Sequence, residues 1–232
     1  MNAIRARLDT VNRRIRDAAA RCGRPAGAVQ LLAVSKTRPP EDIRAALAAG
    51  QLRFGESYLQ EALEKIRALR ASQAQWHFIG RIQGNKTRAI AEHFDWVHSL
   101  CSIRHAQRLN DQRPDELPPL NLCLQINLSG EDTKAGIAPE EAFELVARLR
   151  ELPRLNLCGL MTLPAPAETL EQQRLPFRRL RELRDRLATP ALPLATLSMG
   201  MSGDLEAAIA EGATIVRIGT AIFGPRTKVS SR

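Results

Sequence analysis

The sequence predicts an α/β fold, a single (β/α)8 TIM barrel with an extra N-terminal helix. Three observations point there: eight short apolar runs recur along the chain, helical patterns fill the gaps between them, and no linker-like stretch interrupts the alternation. Strict alternation of strand and helix implies a parallel sheet. Eight such units in 232 residues suit a closed barrel, whose usual length is ~250 residues. The rival is an open doubly wound sheet. No GxGxxG follows the first run, so the dinucleotide-binding form of that rival lacks its signature. Residues 1–232 are therefore read as one domain.

The elements follow in order. The N-terminal stretch MNAIRARLDTVNRRIRDAAARCG carries basic residues but no apolar core and no small-residue cleavage site, so it reads as a helix and not as a secretion signal. The apolar runs are LLAVSK (31–36), LRFGES (52–57), WHFIG (76–80), WVHSL (96–100), LCLQINL (122–128), LCGLMTL (157–163), LATLSMG (194–200) and IVRIGTAIFG (215–224). Several are nearly continuous in apolar residues, as parallel strands covered on both faces are. Between them, PEDIRAALAAG opens on Pro and acids and stops at Gly50, following helix start and stop rules. SYLQEALEKIRALRA has apolar residues at three- and four-residue spacing, and NKTRAIAEHF is shorter. Ser102 is an expected N-cap for SIRHAQRLNDQ. PEEAFELVARLREL again has Pro and acids in its first turn. In TLEQQRLPFRRLRELRDRLA, Pro176 predicts a break or kink. SGDLEAAIAEG starts on a cap and ends at Gly212.

Composition narrows the function classes. Hydrophobic residues make up 44% and charged residues 25%, which suits a packed domain and argues against disorder. No apolar run approaches the ~20 residues of a membrane helix. The formal net charge is +9, yet only five of the 34 basic residues are lysines. Arginines in RARLDTVNRRIR and FRRLRELRDRL sit at helical spacing among acids, which reads as a solvated helix face. Aromatic residues are 4% of the chain, too few for a base-stacking platform, and a nucleic-acid patch would want a motif beside the charge. The four cysteines, Cys22, Cys101, Cys123 and Cys158, form no CxxC or His/Cys cluster, so no metal site is expected. Free thiols in a reducing cytoplasm account for them.

The active face of such a barrel lies at the carboxyl ends of its strands. Lys36 ends the first run in a chain poor in lysine. Desolvation there would favour a neutral, nucleophilic amine able to form a Schiff base. The competing reading is a lysine that snorkels out at a strand terminus. Phosphate sites in these barrels are usually built from the loops after the seventh and eighth strands. The seventh run ends SMGMSGD, offering Ser198, Ser202 and a helix start. The eighth ends RIGTAIFG, offering Gly219 and Thr220. A strand-end lysine plus a phosphate cradle suggests pyridoxal 5′-phosphate, which needs an amine, an anion site and a partner for its ring nitrogen. Arg217 could be that partner. A guanidinium only donates hydrogen bonds, so it favours an unprotonated ring, a poorer electron sink.

In order along the chain, AVSKTRP, FGESYLQEALEK, WHFIGRIQGNK, KAGI, GLMTLP and LSMGMSGDLEAAIAEGATIVRIGTAIFGPR resemble the YggS/PROSC-type pyridoxal phosphate homeostasis proteins, from about residue 8 to 226. The resemblance implies a barrel similar to the N-terminal domain of alanine racemases, with pyridoxal phosphate on Lys36. It implies that Arg217 faces the ring nitrogen and that Ser202, Gly219 and Thr220 hold the phosphate, with Ser198 and the Met199 backbone nearby. Ser57 and His77 complete the expected cofactor contacts. Ser57 stands where the family's GENY-like motif has asparagine, and Arg81 and Gly84 stand where Pro and Ser are usual.

The resemblance further implies a cytoplasmic, non-catalytic carrier or regulator, expected as a monomer, with apo enzymes that use the cofactor as recipients. Two-base racemisation needs a second acid/base opposite the lysine, supplied in alanine racemases by a tyrosine of an additional domain. The chain is expected to lack that domain, and its one tyrosine, Tyr58, lies at the start of the second helix. His77 could be a proton donor or a barrel-lining histidine held by hydrogen bonds. His93, His98 and His105 read as lying on or near helices. Lys134 is expected on the active face as a second anion contact or a solvated loop lysine. The alternatives are a weak amino-acid racemase on the same lysine, an aldolase-like barrel forming a substrate Schiff base at Lys36, and a nucleic-acid binder.

Overall fold

The computed structural model describes residues 3–129 and 135–225. Eight parallel strands form a closed barrel in chain order: β1 (Gln30–Val34), β2 (Arg53–Glu56), β3 (Gln75–Phe78), β4 (Trp96–Leu100), β5 (Leu120–Gln125), β6 (Leu155–Met161), β7 (Thr196–Ser198) and β8 (Ile215–Ile218). The ring closes where β8 pairs with β1, with Arg217 in register with Leu32. This is the expected TIM barrel. Each predicted run overlaps its strand, although β1, β3, β5 and β6 begin one or two residues before theirs. The last run splits, because only IVRI is extended. Gly219 ends the strand, and Thr220–Phe223 turns into a short helix.

The helices are α1 (Ala3–Arg21), α2 (Pro40–Ala48), α3 (Leu59–Ala68), α4 (Thr87–His93), α5 (Ile103–Gln112), α6 (Ala142–Leu149), α7 (Leu170–Leu187), α8 (Leu205–Ala210) and α9 (Thr220–Phe223). Single 3-10 turns, Gly84–Lys86 and Pro139–Glu141, precede α4 and α6. Helix α1 buries Ile4, Leu8, Val11, Ile15, Ala18 and Ala19, one stripe at three- and four-residue spacing, and packs against α2, α8 and α9. Pro40 sits in the first turn of α2, with Glu41 and Asp42 beside it. Thr169 and Gln172 cap α7 reciprocally. Ser102 occupies the N-cap position of α5, but its hydroxyl makes no cap bond.

Pro176 does not break α7, which runs unbroken through it. The ring removes one backbone donor, but Phe177, Leu180, Leu183 and Leu187 are buried along the same helix, and that packing holds the remaining turns. The α7 arginines are not simply a solvated face. Arg174, Arg178 and Arg181 converge on Glu211, at 2.7, 3.3 and 3.1 Å, and Glu211 is buried. They tie α7 to the turn that leads into β8.

The helix-facing side of the barrel is one continuous apolar shell. Leu32, Cys123, Met161 and Ile215 are buried apart from it, as residues that fill the lumen are. Backbones approach closely where Gly159 pairs with Thr196 across β6 and β7. A β-carbon at 159 would stand 1.8 Å from the Thr196 carbonyl oxygen, so one strand would have to move in a ring with no free edge. Gly159→Ala is expected to destabilise the protein by at least about 3 kcal/mol. Urea unfolding would show it, and a loss below about 1 kcal/mol would contradict the close approach.

Candidate functional site

A cavity of about 310 Å³ opens at the carboxyl ends of the strands, where barrels of this type carry chemistry. Lys36, two residues beyond β1, lines it, with Ser57 just beyond β2. Met161 of β6 and Leu163 give an apolar wall, and Arg217 of β8 reaches it from within the barrel. Ser202, Gly203, Gly219 and Thr220 line its rim. A wider hollow of about 1040 Å³ lies between the loop after β5 and α7. Its charged walls (Glu140, Glu141, Arg179, Glu182, Asp185 and Arg186) mix both signs and lie before α6 and on α7, and only Asn127 and Leu128 come from just beyond a strand, so the smaller cavity, lined from several strand ends, is the candidate site.

The rim is built by constrained backbone. Gly200 has a φ of +95°, and a β-carbon there would lie 2.5 Å from Ala208 Cβ, so only glycine permits the turn. Its carbonyl accepts from the Arg217 N–H at 2.9 Å. Asp204 Oδ1 accepts from the Met201 N–H at 2.5 Å. Arg14 of α1 donates to the Ser202 carbonyl at 2.8 Å while chelating Glu206 at 2.5 and 2.6 Å. The N-terminal helix therefore braces the loop that presents Ser202. Across the rim, Thr220 begins α9, and the first N–H groups of a helix have no acceptor within it.

Arg217 anchors the floor. Its Nη1 donates to Ser198 Oγ at 2.9 Å and its Nη2 to the Thr162 carbonyl at 2.8 Å. Burial pulls the guanidinium pKa down to about 10 against the pull of Asp204, so it stays a cation at neutral pH. Because a guanidinium only donates, Ser198 Oγ accepts there, and it also pairs with His98 Nδ1, 2.7 Å away. His98 Nε2 in turn pairs with His77 Nδ1 at 2.9 Å, and His77 Nε2 is buried without a partner. The His98–Ser198 bond joins β4 to β7 across the lumen. His77 also stacks on Trp96, at 5.5 Å and 6°. Burial lowers the His98 pKa to about 3 and holds His77 well below its ordinary value, so both rings are neutral.

Lys36, Ser57, Ser202, Arg217, Gly219 and Thr220 thus share one cavity, whereas His77, Ser198 and Met199 do not line it. Ser198 and His77 belong to the chain behind Arg217, and Met199 is buried with its N–H on the Ile215 carbonyl. His98 is not on or near a helix: it lies on β4 and faces the lumen. Tyr58 is the N-cap of α3 and is 54% exposed. Lys134 lies outside the described residues. Among the described residues no His, Cys, Asp or Glu group could hold a metal, and no helix is long and apolar enough to cross a membrane.

Residues 6–227 match the family model of the alanine racemase N-terminal domain. The chain belongs to that family. It is 55% identical over 226 residues to a pyridoxal phosphate homeostasis protein of Pseudomonas aeruginosa, covering 97% of each chain. It is 52% identical over 229 residues to the protein of that name from Escherichia coli K12, covering 97% of this chain and 98% of the other. Within the family it groups with these pyridoxal phosphate homeostasis proteins. The structure of PipY from Synechococcus elongatus PCC7942 with PLP bound is similar at 38% identity and a TM-score of 0.82, over 95% of this chain and 100% of that one. Alanine racemase from Corynebacterium glutamicum, at 19% identity and a TM-score of 0.70, covers 100% of this chain and 63% of its own. That likeness concerns the fold.

Two features of this alanine racemase N-terminal domain barrel were missed in the sequence. His98 shares its strand face with Trp96, which pairs with His77, so alternation along WVHSL placed beside WHFIG would have found it. The second is a buried ion cluster, Glu56, Glu61 and Lys65, where only the i,i+4 spacing of Glu61 and Lys65 hints at pairing.

Proposed function

We propose that residues 1–232 form one pyridoxal 5′-phosphate-binding barrel domain that holds the cofactor as a Schiff base on Lys36 and buffers or delivers it, without substantial catalysis. The observation that carries this reading is the meeting of Lys36, Arg217 and the Ser202, Gly219 and Thr220 rim around one cavity. The residues present fit the group. The donor set offers one amine, one cation that only donates, and a rim of hydroxyl and backbone N–H groups suited to an anion. A β-carbon at 219 would press to 3.1 Å of the Val34 carbonyl, so glycine keeps the rim tight against β1. The cavity volume lies within the range of small-ligand sites.

Pyridoxal phosphate, when bound, supplies an aldehyde for amines and an electron sink. In this reading Lys36 provides the attachment point and Ser57 flanks the ring. Arg217 faces the ring nitrogen as a fixed donor, held by Ser198 with His98 and His77 behind it. Ser202, Gly219 and Thr220 hold the phosphate, with the Met199 backbone beneath their loop. A permanent cation at the ring nitrogen keeps that nitrogen unprotonated and weakens the sink. Among the described residues lining the cavity, Lys36 and Arg217 are the ionisable ones, which supports a carrier over a two-base racemase. The relatives' naming as homeostasis proteins supports it too. We read the protein as a cytoplasmic monomer, with apo enzymes as recipients and no nucleic-acid or membrane partner. Cysteines that are all unpaired are in keeping with a reducing compartment.

The test is transfer. The loaded protein, mixed with an apo enzyme that needs pyridoxal phosphate and with a phosphatase that destroys the free cofactor, is expected to restore activity faster than the same amount of free cofactor. Recovery no better than from free cofactor would remove the delivery role. Racemisation of L- or D-alanine by the loaded protein at ~1 s⁻¹ or faster would replace the carrier with an enzyme.

A further inference from the structure

We infer that Lys65, clamped between Glu56 and Glu61, is a positioning residue that fixes the backbone on both sides of Lys36 and so sets the reactivity of its amine. The inference rests on the reading of Lys36 given above and adds residues that do not line the cavity.

The contacts converge on the loop after β1. Lys65, on α3, has a side chain only 3% exposed. Its Nζ donates to the Ser35 carbonyl at 2.7 Å, to Glu56 Oε1 at 2.8 Å and to Glu61 Oε1. An ammonium has three donors, and all three are used, so Lys65 is not itself an available nucleophile. Glu56 Oε1 also accepts from the Ser35 hydroxyl at 2.6 Å, and Glu61 Oε1 accepts from the Thr37 N–H at 2.6 Å. Ser35 is thereby held through its carbonyl and its hydroxyl, and Thr37 through its amide. Lys36 is the residue between them.

Thr37 has a φ of +64°, an outlier for a β-branched residue. Such a conformation persists only where its surroundings over-determine it. Two bonds hold it, the turn bond from the Arg38 N–H to the Ser35 carbonyl at 3.1 Å and the Glu61–Thr37 bond, and Lys65 grips the acceptor residue of each. Among the described residues, Lys65–Glu56 is the ion pair with both side chains buried, at 3% and 0%. Buried pairs are often no better for stability than apolar residues of the same shape. Glu56 Oε2 is moreover buried without a hydrogen-bond partner, so the carboxylate is not placed for its own satisfaction. The cluster serves the loop it holds.

The test compares the full-length wild type with Lys65→Met and Glu61→Ala, which removes the acceptor for the Thr37 N–H. Glu61 is 29% exposed, so its truncated variant keeps the fold even if Lys65→Met does not. Each is mixed with pyridoxal, which lacks the phosphate, and growth of the Schiff-base absorption is timed, with far-UV circular dichroism confirming the fold. At least a tenfold slower reaction is expected in Lys65→Met, and about threefold or more in Glu61→Ala, with the same ratios for pyridoxal phosphate. A folded variant of either kind reacting at the wild-type rate overturns the inference. If Lys65→Met unfolds, Glu61→Ala decides alone. A Schiff-base absorption that survives Lys36→Ala would instead bring down the Lys36 reading itself, along with this one.

Discussion

Lys36→Ala is expected to abolish the visible absorption that the protein gains on mixing with pyridoxal phosphate. Of the three lysines among the described residues, Lys65 has its donors occupied within the Glu56–Glu61 cluster and Lys86 sits in the turn before α4, away from the cavity. Arginine cannot stand in, because its guanidinium stays protonated. The variant should still take up the cofactor through Arg217 and the Ser202–Thr220 rim, more weakly by about tenfold or more, which is ~1.4 kcal/mol. Equilibrium dialysis separates the two effects: bound cofactor remains while the Schiff-base band is gone. A band of wild-type size in the variant would mean that another amine carries the cofactor.

Lowering the pH from 7.5 to 5.0 is expected to cost the protein about 2 kcal/mol of stability through His98, with its lumen neighbour His77 acting in the same direction. The native His98 has a pKa of about 3, and His77 is also held well below its ordinary value, both chiefly by burial. In the unfolded chain each titrates near 6.5. The native pKa is the lower one, so their contribution is complete above the unfolded pKa and is lost as the pH falls below it, while the unfolded chain takes up protons the native rings refuse. His98 then costs about 2 kcal/mol by pH 5, against a total stability of about 5–15 kcal/mol, and His77 acts in the same direction. Burial raises the pKa of Glu56, Asp95 and Asp204, and these carboxyls act in the opposite sense, so the histidine contribution is read as a difference. Urea unfolding of wild type and His98→Asn, each at both pH values, is expected to show the variant losing about 2 kcal/mol less. Equal losses would contradict a neutral His98 in the native barrel.

The barrel was legible because its strands are largely buried and appear as short, mostly apolar runs, several of them nearly continuous. Several helices between them, α2, α6 and α7 among them, announce their start with Pro, acids or a cap. The same continuity hid the end of β8, since IVRI and TAIF are equally apolar and only Gly219 separates strand from helix. Pro176 misled because local propensity was outweighed by packing along α7. At the site, Lys36, Ser57, Ser202, Arg217, Gly219 and Thr220 could be read from their places at strand ends, and the fold brings them to one cavity. What could not be read depends on contacts across the lumen or between layers. Ser198 meets His98 from the opposite strand, and three α7 arginines share Glu211. Lys65 reaches the carbonyl before Lys36 from thirty positions away. No local pattern encodes such meetings.

The most direct measurement is to load the wild-type protein with pyridoxal phosphate, reduce it with borohydride, digest it and find the peptide that carries the added mass. The account predicts the phosphopyridoxyl group on Lys36 alone. The adduct on Lys134, Lys228 or any other amine, or no adduct at all, would contradict it.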